Sequence, residues 1–549
     1  EIDETRLVLL NSGRWDRRID VGSISNPRSY EWEFEWGDEA INSVEVSEIN
    51  ENRHDNDTPN ACADKMGDLH LYPVEPRSDK INCLLRSLGN GTKPIFLSEC
   101  GVGSLTNCIR TAHFYEQTDA RPDLPDALVY KTMTEKLTTD WEKFGLDGVY
   151  SFVENMLRDS KRLQSKQREY VFSYVRSNPQ ICGYNLTGML DHAFCGEGLW
   201  SFFREWKPGI VDVLQNGWAN LRWCLFVNPM HVYAGRSFKV EAVLANEDVL
   251  KPGNYPVCFK ISSKHGIVWQ KRTLVHIPEP KDGEECPLAT PCLSEDIVLD
   301  VESGTYELTA YMEQGGAPAG GRITFHITNA CDFPKISGPV TLLGLNEKAE
   351  HLLKSRNIVY QSFDKLKGDS GNLILVGNLS VSEFLADDWK NLYKYIALGN
   401  TAIFLSPAAF KRGDDSSDWL PFENKGKCNW FFDWLYHKEC VATEHPYFSG
   451  MQCNGILDND YYGRVIPNHL FCGQDKPDEV ISVAFAVGYP GITDGYISGI
   501  LLGAYKLGAG KIVINTFNIL ENLGLNPAAD RLLLNMIHEE QNNQLAAAL

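Results

Sequence analysis

The first segment of the chain alternates short apolar runs with stretches of helical periodicity. The runs predict strands at 6–10, 67–72, 94–98 and 181–190, and the periodic stretches predict helices at 78–89, 133–144 and 162–176. Strands that alternate with helices form right-handed parallel units. Each predicted strand ends in polar residues, which is typical of the active face of a (β/α) barrel. This pattern therefore predicts that residues 1–223 form part of a TIM barrel.

The period of the pattern changes further along the chain. Apolar and polar residues alternate at 238–244, 306–312 and 323–327, which predicts an immunoglobulin-like β-sandwich over residues 224–330. Residues 331–541 return to strand–helix alternation, with strands predicted at 340–345, 358–363, 372–377, 401–405 and 511–517 and a helix at 382–398. This third segment predicts a doubly wound α/β domain followed by a frayed tail, 542–549. The fold class is thus a multidomain α/β plus β protein.

The charge balance excludes some classes of partner. The chain has 52 basic and 73 acidic residues and a net charge of −21, which argues against binding to nucleic acid or to an anionic membrane surface. Because no apolar run reaches about 18 residues, we expect no membrane span. Thirteen Trp and 22 Tyr offer aromatic faces on which sugars can stack, although most such rings fill cores.

Cysteines and glycosylation sequons favour an oxidising compartment, either secretion or a lysosome- or vacuole-type destination. The chain has 15 cysteines, of which Cys286 and Cys292 are close enough in sequence to form a disulfide. The alternative is free thiols and chance sequons. We expect glycans on three of the four sequons, and none on Asn185 because it lies in a predicted strand: the three are Asn56, Asn90 and Asn378.

The stretch KPIFLSECGVGS (93–104) places Glu99 at a strand end, before a glycine-bearing turn. Alone, such an acid is better interpreted as a solvated strand end or half of a salt bridge. Its neighbours change that interpretation. The stretch resembles the nucleophile strand of glycoside hydrolase family 2, which contains β-galactosidases, β-glucuronidases and β-mannosidases. The resemblance extends through TRLVLLNSGRWD (5–16), DLHLYP (68–73), RTAHFYEQ (110–117), SNPQICGYNLTGMLDH (177–192) and GEGLWSFFREWKPG (196–209).

The resemblance implies a retaining β-glycosidase, with residues 1–223 as strands 5–8 of the barrel and Glu99 as the nucleophile at the end of strand 7. A carboxylate on a rigid strand end can attack an anomeric carbon if an acid lies about 5–5.5 Å away. Many relatives carry Tyr where this chain has Cys100, and we interpret Cys100 as a small buried hydrophobe. Further candidates for contact with the sugar lie at strand ends and in the loop beyond: Asn11, His70, Tyr72, Asp191, His192 and Trp200. His70 and Tyr72 suit a hydrogen-bonded rim equally well.

The family's general acid is a Glu that follows an Asn at the end of strand 4. The segment SEINENRHDNDTPN is a polar loop rather than a strand end, and Asn246-Glu247 belongs to the predicted sandwich. Glu154, Asp191 and Glu197 suit substrate or structural contacts better. We therefore expect a companion polypeptide that carries the N-terminal half of the barrel and the acid. A homo-oligomer is also compatible with the sequence.

The third segment resembles the class I glutamine amidotransferase fold. Its enzymes need a Cys on a sharp strand-to-helix turn, and TAIFLSPAAF (401–410) has none, so we predict a non-catalytic domain. His192 beside Asp191 has no second His at ligand spacing, and we infer neither a metal nor another cofactor. The leading function is a glycosidase that acts on β-linked sugars by double displacement. The alternative is a catalytically inactive glycan-binding or scaffold protein on the same fold.

Overall fold

The computed structural model describes most of the chain. The described residues are 68–71, 83, 85–88, 95–118, 121, 123–192, 194–280, 286–363, 373–379, 384–431, 438–488 and 495–548. The predicted strand at 6–10, Asn11, Asn56, Tyr72 and Asn90 lie outside them. In this part of the chain, no helix is long and apolar enough to cross a membrane. The architecture is mixed helix and sheet with several sheets, as expected for a multidomain α/β plus β protein.

The first segment contributes a parallel three-stranded sheet in the order β1–β2–β3. Its strands confirm three of the predictions: β1 Asp68–Leu71, β2 Ile95–Cys100 and β3 Ile181–Leu186. Within the described residues, α1 Cys108–Gln117, α2 Pro125–Phe144 and α3 Val153–Arg176 lie between β2 and β3, and α4 Ile210–Gly217 follows β3. Residues 83 and 85–87, inside the predicted helix 78–89, are also helical. Val171, Tyr174 and Val175 of α3 pack on the buried face of the sheet. The sheet is therefore a strand–helix layer, as the alternation predicted.

The second segment is a sandwich of a three-stranded sheet, β4–β6–β9, and a five-stranded sheet, β5–β11–β10–β7–β8. The strands are β4 Leu221–Asn228, β5 His231–Tyr233, β6 Ser237–Asn246, β7 Gly253–Ser263, β8 Gly266–Ile277, β9 Ala289–Val298, β10 Gly304–Met312 and β11 Arg322–Thr328. Trp223 of β4 meets Phe259 of β7 across the core, with ring centroids 5.5 Å apart. Apolar residues alternate along β10 and β11 because their sheet is buried on one face, whereas β4 is buried on both faces, against the sandwich core and against α3.

The third segment forms one mixed sheet in the order β13–β12–β14–β15–β22–β21–β20–β17–β18, with β16 and β19 beside it. Its strands are β12 Val340–Leu343, β13 Tyr360–Ser362, β14 Leu373–Val376, β15 Thr401–Phe404, β16 Lys425–Trp430, β17 Lys438–Ala442, β18 Gly455–Ile456, β19 His469–Gln474, β20 Glu479–Val487, β21 Tyr496–Leu507 and β22 Gly510–Asn515. Its helices are α5 Glu347–Ser355, α6 Ala386–Ala397, α7 Asn459–Tyr462, α8 Ile519–Asn522 and α9 Pro527–Ala548. We call this segment the third domain.

The third domain differs from the predicted doubly wound sheet in one half. The pairs from β13 to β22 are parallel, but β22 pairs with β21, β21 with β20 and β20 with β17 in antiparallel fashion. Strand β22 follows β21 after a tight turn of two residues. Gly508 in this turn has a left-handed φ of 61°, which glycine adopts without strain. A two-residue connection allows only antiparallel pairing.

Helix α2 covers this sheet, although it belongs to the first segment. Pro125 opens the helix and Gly145 ends it with a left-handed φ of 67°. Its apolar stripe includes Leu137, Trp141 and Phe144, which pack in one core with Phe485 of β20. The first segment and the third domain therefore share a core, which the sequence did not predict.

Three local predictions can be compared with the structure. The predicted tail, 542–549, is helical as far as Ala548, since α9 continues through the good helix formers of Leu545–Ala548. The predicted disulfide is absent, and Cys286 and Cys292 are free thiols. Cys286 lies before the start of β9, and the extended residues from Ala289 carry Cys292 away from it. Asn378 is exposed just past β14, and Asn185 lies in β3 as predicted but is exposed.

Candidate functional site

Glu99 lies near the carboxyl end of β2, the middle strand of the parallel sheet. Both of its neighbours lose register here: β1 slips between Leu69 and His70, and β3 slips opposite Leu97 to Cys100. The slip places Cys100 in the same core as Ile95 and Leu97, although simple alternation would put it on the other face. Irregularities of this kind re-aim side chains and are common beside active sites. Glu99 itself is half-buried.

Four of the six other predicted site residues are described, one on β1 and three in the loop after β3. His70 of β1 is the register partner of Glu99, so the two residues lie side by side on adjacent strands. Asn11 and Tyr72 lie outside the described residues. Asp191, His192 and Trp200 belong to the loop that follows β3, and Thr187 at the start of that loop donates its N–H to the Cys100 carbonyl over 3.1 Å. This hydrogen bond holds the loop beside the end of β2.

The loop after β3 is held by hydrogen bonds between its own residues around Asp191. The Asp191 N–H donates to the Trp200 carbonyl at 2.9 Å, and the Asp191 carboxylate accepts from the Gly198 N–H at 2.9 Å. A side chain at Gly198 would place its Cβ 2.2 Å from the Asp191 nitrogen, so only glycine fits. The Trp200 ring packs edge-on against Trp206 at 4.8 Å. His192 is exposed.

Lys207 forms a buried ion pair with Asp191, with Nζ 2.7 Å from Oδ1 and side-chain exposures of 1% and 5%. The same Nζ donates to the Gly196 carbonyl at 2.7 Å and to Oε1 of Gln164 at 3.1 Å. Burial lowers the pKa of Lys207, and Asp191 opposes that shift. Asp191 thus balances a buried cation, which limits its use as a contact for a sugar.

Two polar side chains of α3 join the loops after β2 and β3. The Gln164 amide donates to the Val102 carbonyl at 2.8 Å and to the Glu197 carbonyl at 2.9 Å. Arg168 donates to the carbonyls of Thr187 and Glu197. Both side chains are buried, so these bonds replace those to water. The two loops are therefore held in a fixed relation to the strand end that carries Glu99.

The loop after β2 also reaches the third domain. Residues 101–106 are all buried, and the Thr106 N–H donates to the Val487 carbonyl of β20 at 3.0 Å. The Leu105 N–H donates to Ser160 Oγ at 2.9 Å, and Ser160 Oγ donates to Glu439 of β17 at 2.6 Å. A carboxylate of the third domain therefore supports the loop that begins one residue after Cys100.

The thiols near these strand ends are poor nucleophiles. Burial raises the pKa of Cys100 to about 12, which keeps the thiol protonated at neutral pH. Burial likewise raises the pKa of Cys440 in the third domain to about 12. At the end of β15, where an amidotransferase needs its nucleophile, Ser406 accepts a hydrogen bond from the Ala408 N–H and Pro407 follows. The geometry of this turn offers no nucleophilic elbow.

Sequence reasoning missed Gln164, Arg168 and Lys207. A signal was present in α3, where Ser160, Gln164 and Arg168 recur every four residues on a buried face that also carries Leu157 and Val171. Polar side chains in an apolar stripe must find buried partners, which points to a network. Lys207 had no comparable signal, since a single Lys in a loop is most often exposed. Within the described ranges, no group of three or more His, Cys, Asp or Glu could hold a metal ion.

Comparison with known proteins gives little support to any assignment. No known protein family model matches the chain, and no curated protein matches it. Among solved structures, the exo-β-1,4-mannosidase Op5Man5 from Opitutaceae bacterium strain TAV5 is 12% identical and matches 38% of this chain and 34% of its own, with a TM-score of 0.20. A Paenibacillus sp. cycloisomaltooligosaccharide glucanotransferase, with cycloisomaltoheptaose bound, is 13% identical over 33% of this chain and 27% of its own, with a TM-score of 0.16.

A third structure has a different chemistry. The alkylpurine DNA glycosylase AlkC from Pseudomonas fluorescens, bound to DNA containing an abasic site analogue, is 11% identical over 22% of this chain and 39% of its own, with a TM-score of 0.14. The chain spans less than half of each of these three proteins. Scores this low carry no argument about fold or activity.

Proposed function

We propose that this protein is a retaining β-glycosidase in which Glu99 is the nucleophile. The observation that carries the proposal is the break in register around Glu99. It leaves a half-buried carboxylate at the carboxyl end of the middle parallel strand, while Cys100 joins the core. Catalytic groups of (β/α) barrels lie at this end of their strands. The motif KPIFLSECGVGS supports the same role.

In the proposed reaction, a Glu99 oxygen attacks the anomeric carbon and the bond to the leaving oxygen breaks. A separate carboxylic acid protonates that oxygen, which departs as an alcohol. The glycosyl ester on Glu99 is then hydrolysed by water, which the same acid, now a carboxylate, deprotonates. The ester bond breaks, the sugar is released with retained configuration, and Glu99 is regenerated.

We place the acid outside the described residues, on a companion polypeptide or another part of the protein. Asp191 balances Lys207, and Glu197 is buried with its carbonyl bound by Gln164 and Arg168. Glu154 is exposed in the first turn of α3. On the sheet face away from the core, Phe96 is 38% exposed. An apolar side chain in this position is what further barrel strands would cover.

The test is covalent trapping. The intact native protein is incubated with a panel of 2-deoxy-2-fluoro β-glycosides that carry a good leaving group, and the labelled peptide is identified by mass spectrometry. We expect a mass increase of one fluoroglycosyl group on the peptide containing Glu99, because fluorine slows hydrolysis of the ester. A label on any other carboxylate would contradict the assignment.

A catalytically inactive glycan-binding protein is the second candidate. Buried Cys100 favours it, since a protonated thiol in the core cannot orient Glu99 as a phenol would. Under this alternative, no fluoroglycoside labels the protein, yet a glycan array detects binding. Comparing the two experiments on the same preparation distinguishes the candidates.

For location, we propose the secretory pathway, or a lysosome or vacuole reached through it. The sequon at Asn378 is exposed just beyond β14 and is accessible to a glycosyltransferase. Peptide mapping before and after glycosidase treatment should find a glycan there. Asn185 is also exposed, but its backbone is held in β3, and we expect it to be unmodified. A protein without any glycan would contradict the proposed location.

A further inference from the structure

The third domain has an open concave site, far in sequence from Glu99. The pocket has a volume of about 560 Å³ and is lined by one side of α6 and by the segment that follows β15. This volume lies in the range of small-molecule sites. Neither the proposed catalysis nor the core of the domain requires an open pocket here.

The wall of the pocket is aromatic and rigid. Trp389 and Trp419 stack in parallel, with ring centroids 5.5 Å apart and planes tilted by 10°. Tyr393 donates its hydroxyl hydrogen to the Trp419 carbonyl, and the guanidinium of Arg412 lies 5.0 Å from the centre of the Trp419 ring. Trp389 is buried and fixes the arrangement, while Trp419 and Tyr393 are half-buried. The exposed parts of these rings form a preformed apolar surface.

The rim of the pocket is cationic. Four basic side chains line it, against one acid, Asp418: Lys390, Lys394, Arg412 and Lys425. Arg412 and Lys425 both contact the Asp418 carboxylate, at 3.1 and 3.5 Å. Lys390 and Lys394 are exposed, and neither makes an ion pair within the described part of the chain. The pocket therefore concentrates positive charge on a protein whose net charge is −21.

The clustered positive charges destabilise helix α6. Lys390 and Lys394 lie four residues apart on the same side of α6, and like charges at this spacing destabilise a helix. An anion bound between them would remove the repulsion. Because a pocket with apolar walls focuses the field of its charges, a ligand with acidic groups would be attracted more strongly than to an open surface.

We propose that this pocket binds an anionic saccharide, one whose ring packs against the aromatic wall and whose carboxylate or sulfate groups meet the four cations. The aromatic surface suits the apolar face of a sugar ring, and the charge selects acidic sugars over neutral ones. The saccharide nature of the ligand rests on the proposed function. The preference for anions rests on the pocket alone.

The test is titration calorimetry on the full chain with Glu99→Gln, so that any ligand remains intact. The probes are trigalacturonate, maltotriose as a neutral trisaccharide, and sodium sulfate, at about 20 and 300 mM salt. We expect trigalacturonate to bind at least about tenfold more tightly than either of the others, and to weaken at high salt. The variant Lys390→Gln/Lys394→Gln should weaken this binding about tenfold. The charge-matched control Lys131→Gln/Lys411→Gln, with exposed lysines outside the pocket, should leave it unchanged.

Three results would overturn the proposal: equal binding of maltotriose, equal binding of sulfate, or equal effects of the two double variants. Trp419→Phe provides a second check, because it keeps an aromatic ring and should weaken trigalacturonate but not sulfate. Thermal unfolding of each variant confirms that it is folded. If Glu99 is trapped but trigalacturonate does not bind, only the proposal for this pocket is wrong. If trigalacturonate binds but Glu99 is not trapped, the pocket binds an anionic saccharide on a protein that is not a glycosidase.

Discussion

The carboxyl ends of two parallel strands, β2 and β15, differ in how they are closed. Both strands lie between two parallel neighbours, β1 and β3 in one case and β14 and β22 in the other. Strand β15 keeps its register along its whole length, and its residues are all buried. Strand β2 loses register on both sides near Glu99 and leaves that carboxylate half-buried.

The groups around the two ends differ in the same way. By the closure of a strand end we mean the side chains that hydrogen-bond to the backbone just beyond it. At β15, the Leu405 carbonyl accepts a hydrogen bond from the Asn515 amide at 3.2 Å, so this closure is neutral. Beyond β2 and β3, the closure contains the buried pair of Lys207 and Asp191, with Arg168 nearby. Buried charges are expensive to desolvate, so a fold that only needs to close a sheet has little reason to use them. The difference agrees with the proposed roles, a chemical one for the end of β2 and a structural one for the end of β15.

The first prediction alters one polar side chain at the end of each strand. Glu99→Gln keeps the shape of the side chain but cannot form the glycosyl ester, so we expect turnover of an aryl β-glycoside to fall by about 10³-fold or more, or about 4 kcal/mol in the barrier. Ser406→Ala at the end of β15 should change turnover by less than about twofold. The measurement is the initial rate on the intact native protein. Equal losses in the two variants would contradict the division of roles.

The second prediction concerns the charged closure. Lys207→Met leaves the Asp191 carboxylate buried without its cation, and we expect the free energy of unfolding to fall by about 3–5 kcal/mol. The measurement is chemical denaturation followed by tryptophan fluorescence. Removing both charges in Lys207→Met/Asp191→Leu should recover part of the loss.

The matched control is the exposed ion pair of Arg110 and Glu205, whose side chains are 52% and 40% exposed. Arg110→Met should cost no more than about 1 kcal/mol, because water screens the pair. If Arg110→Met were as destabilising as Lys207→Met, burial would not be the reason for the large effect expected at the pair of Lys207 and Asp191.

The contrast between the two ends also shows what the sequence could predict. The strands that meet at each end followed from apolar runs, and the acid at 99 and its glycine-bearing turn were visible in KPIFLSECGVGS. The register break was not visible, because alternation assigns Cys100 to the face away from Ile95 and Leu97. The ion pair of Lys207 and Asp191 joins residues in one loop whose path is set by Gln164 and the glycines at 196 and 198. Such pairings depend on tertiary packing and leave no periodic trace.

The third prediction is a pH dependence beside the charged closure. Burial lowers the pKa of Lys161 in α3 to about 8, a shift that Lys207 reinforces and Asp191 and Glu205 oppose. In the unfolded chain this amine titrates near 10.5. Between these two pH values the unfolded state binds the extra proton, so stability should rise with pH by up to about 3 kcal/mol.

The test compares unfolding free energies of the wild type and of Lys161→Met from pH 7 to 10.5. Tyrosines and cysteines titrate in the same range in both proteins, so the difference isolates Lys161. We expect the variant to be the more stable at pH 7 and its advantage to shrink as the pH rises. An advantage that stays constant with pH would show that Lys161 keeps an ordinary pKa in the folded protein.

The smallest effect belongs to the neutral closure. Asn515 is fully buried, and its amide donates to the carbonyls of Leu405 and Phe517 and accepts from the Phe517 N–H. Asn515→Ala removes these three hydrogen bonds, although the Phe517 carbonyl still accepts from the Ile519 N–H at 2.8 Å, and it should lower the free energy of unfolding by about 2 kcal/mol. Turnover per folded molecule should stay within about twofold of the wild type, measured as initial rate against the folded fraction at the same temperature. A lost structural hydrogen bond lowers the amount of folded protein and not the rate at which each folded molecule reacts. If Asn515→Ala instead reduced turnover as strongly as Glu99→Gln while the protein stayed folded, the end of β15 would have to take part in the chemistry.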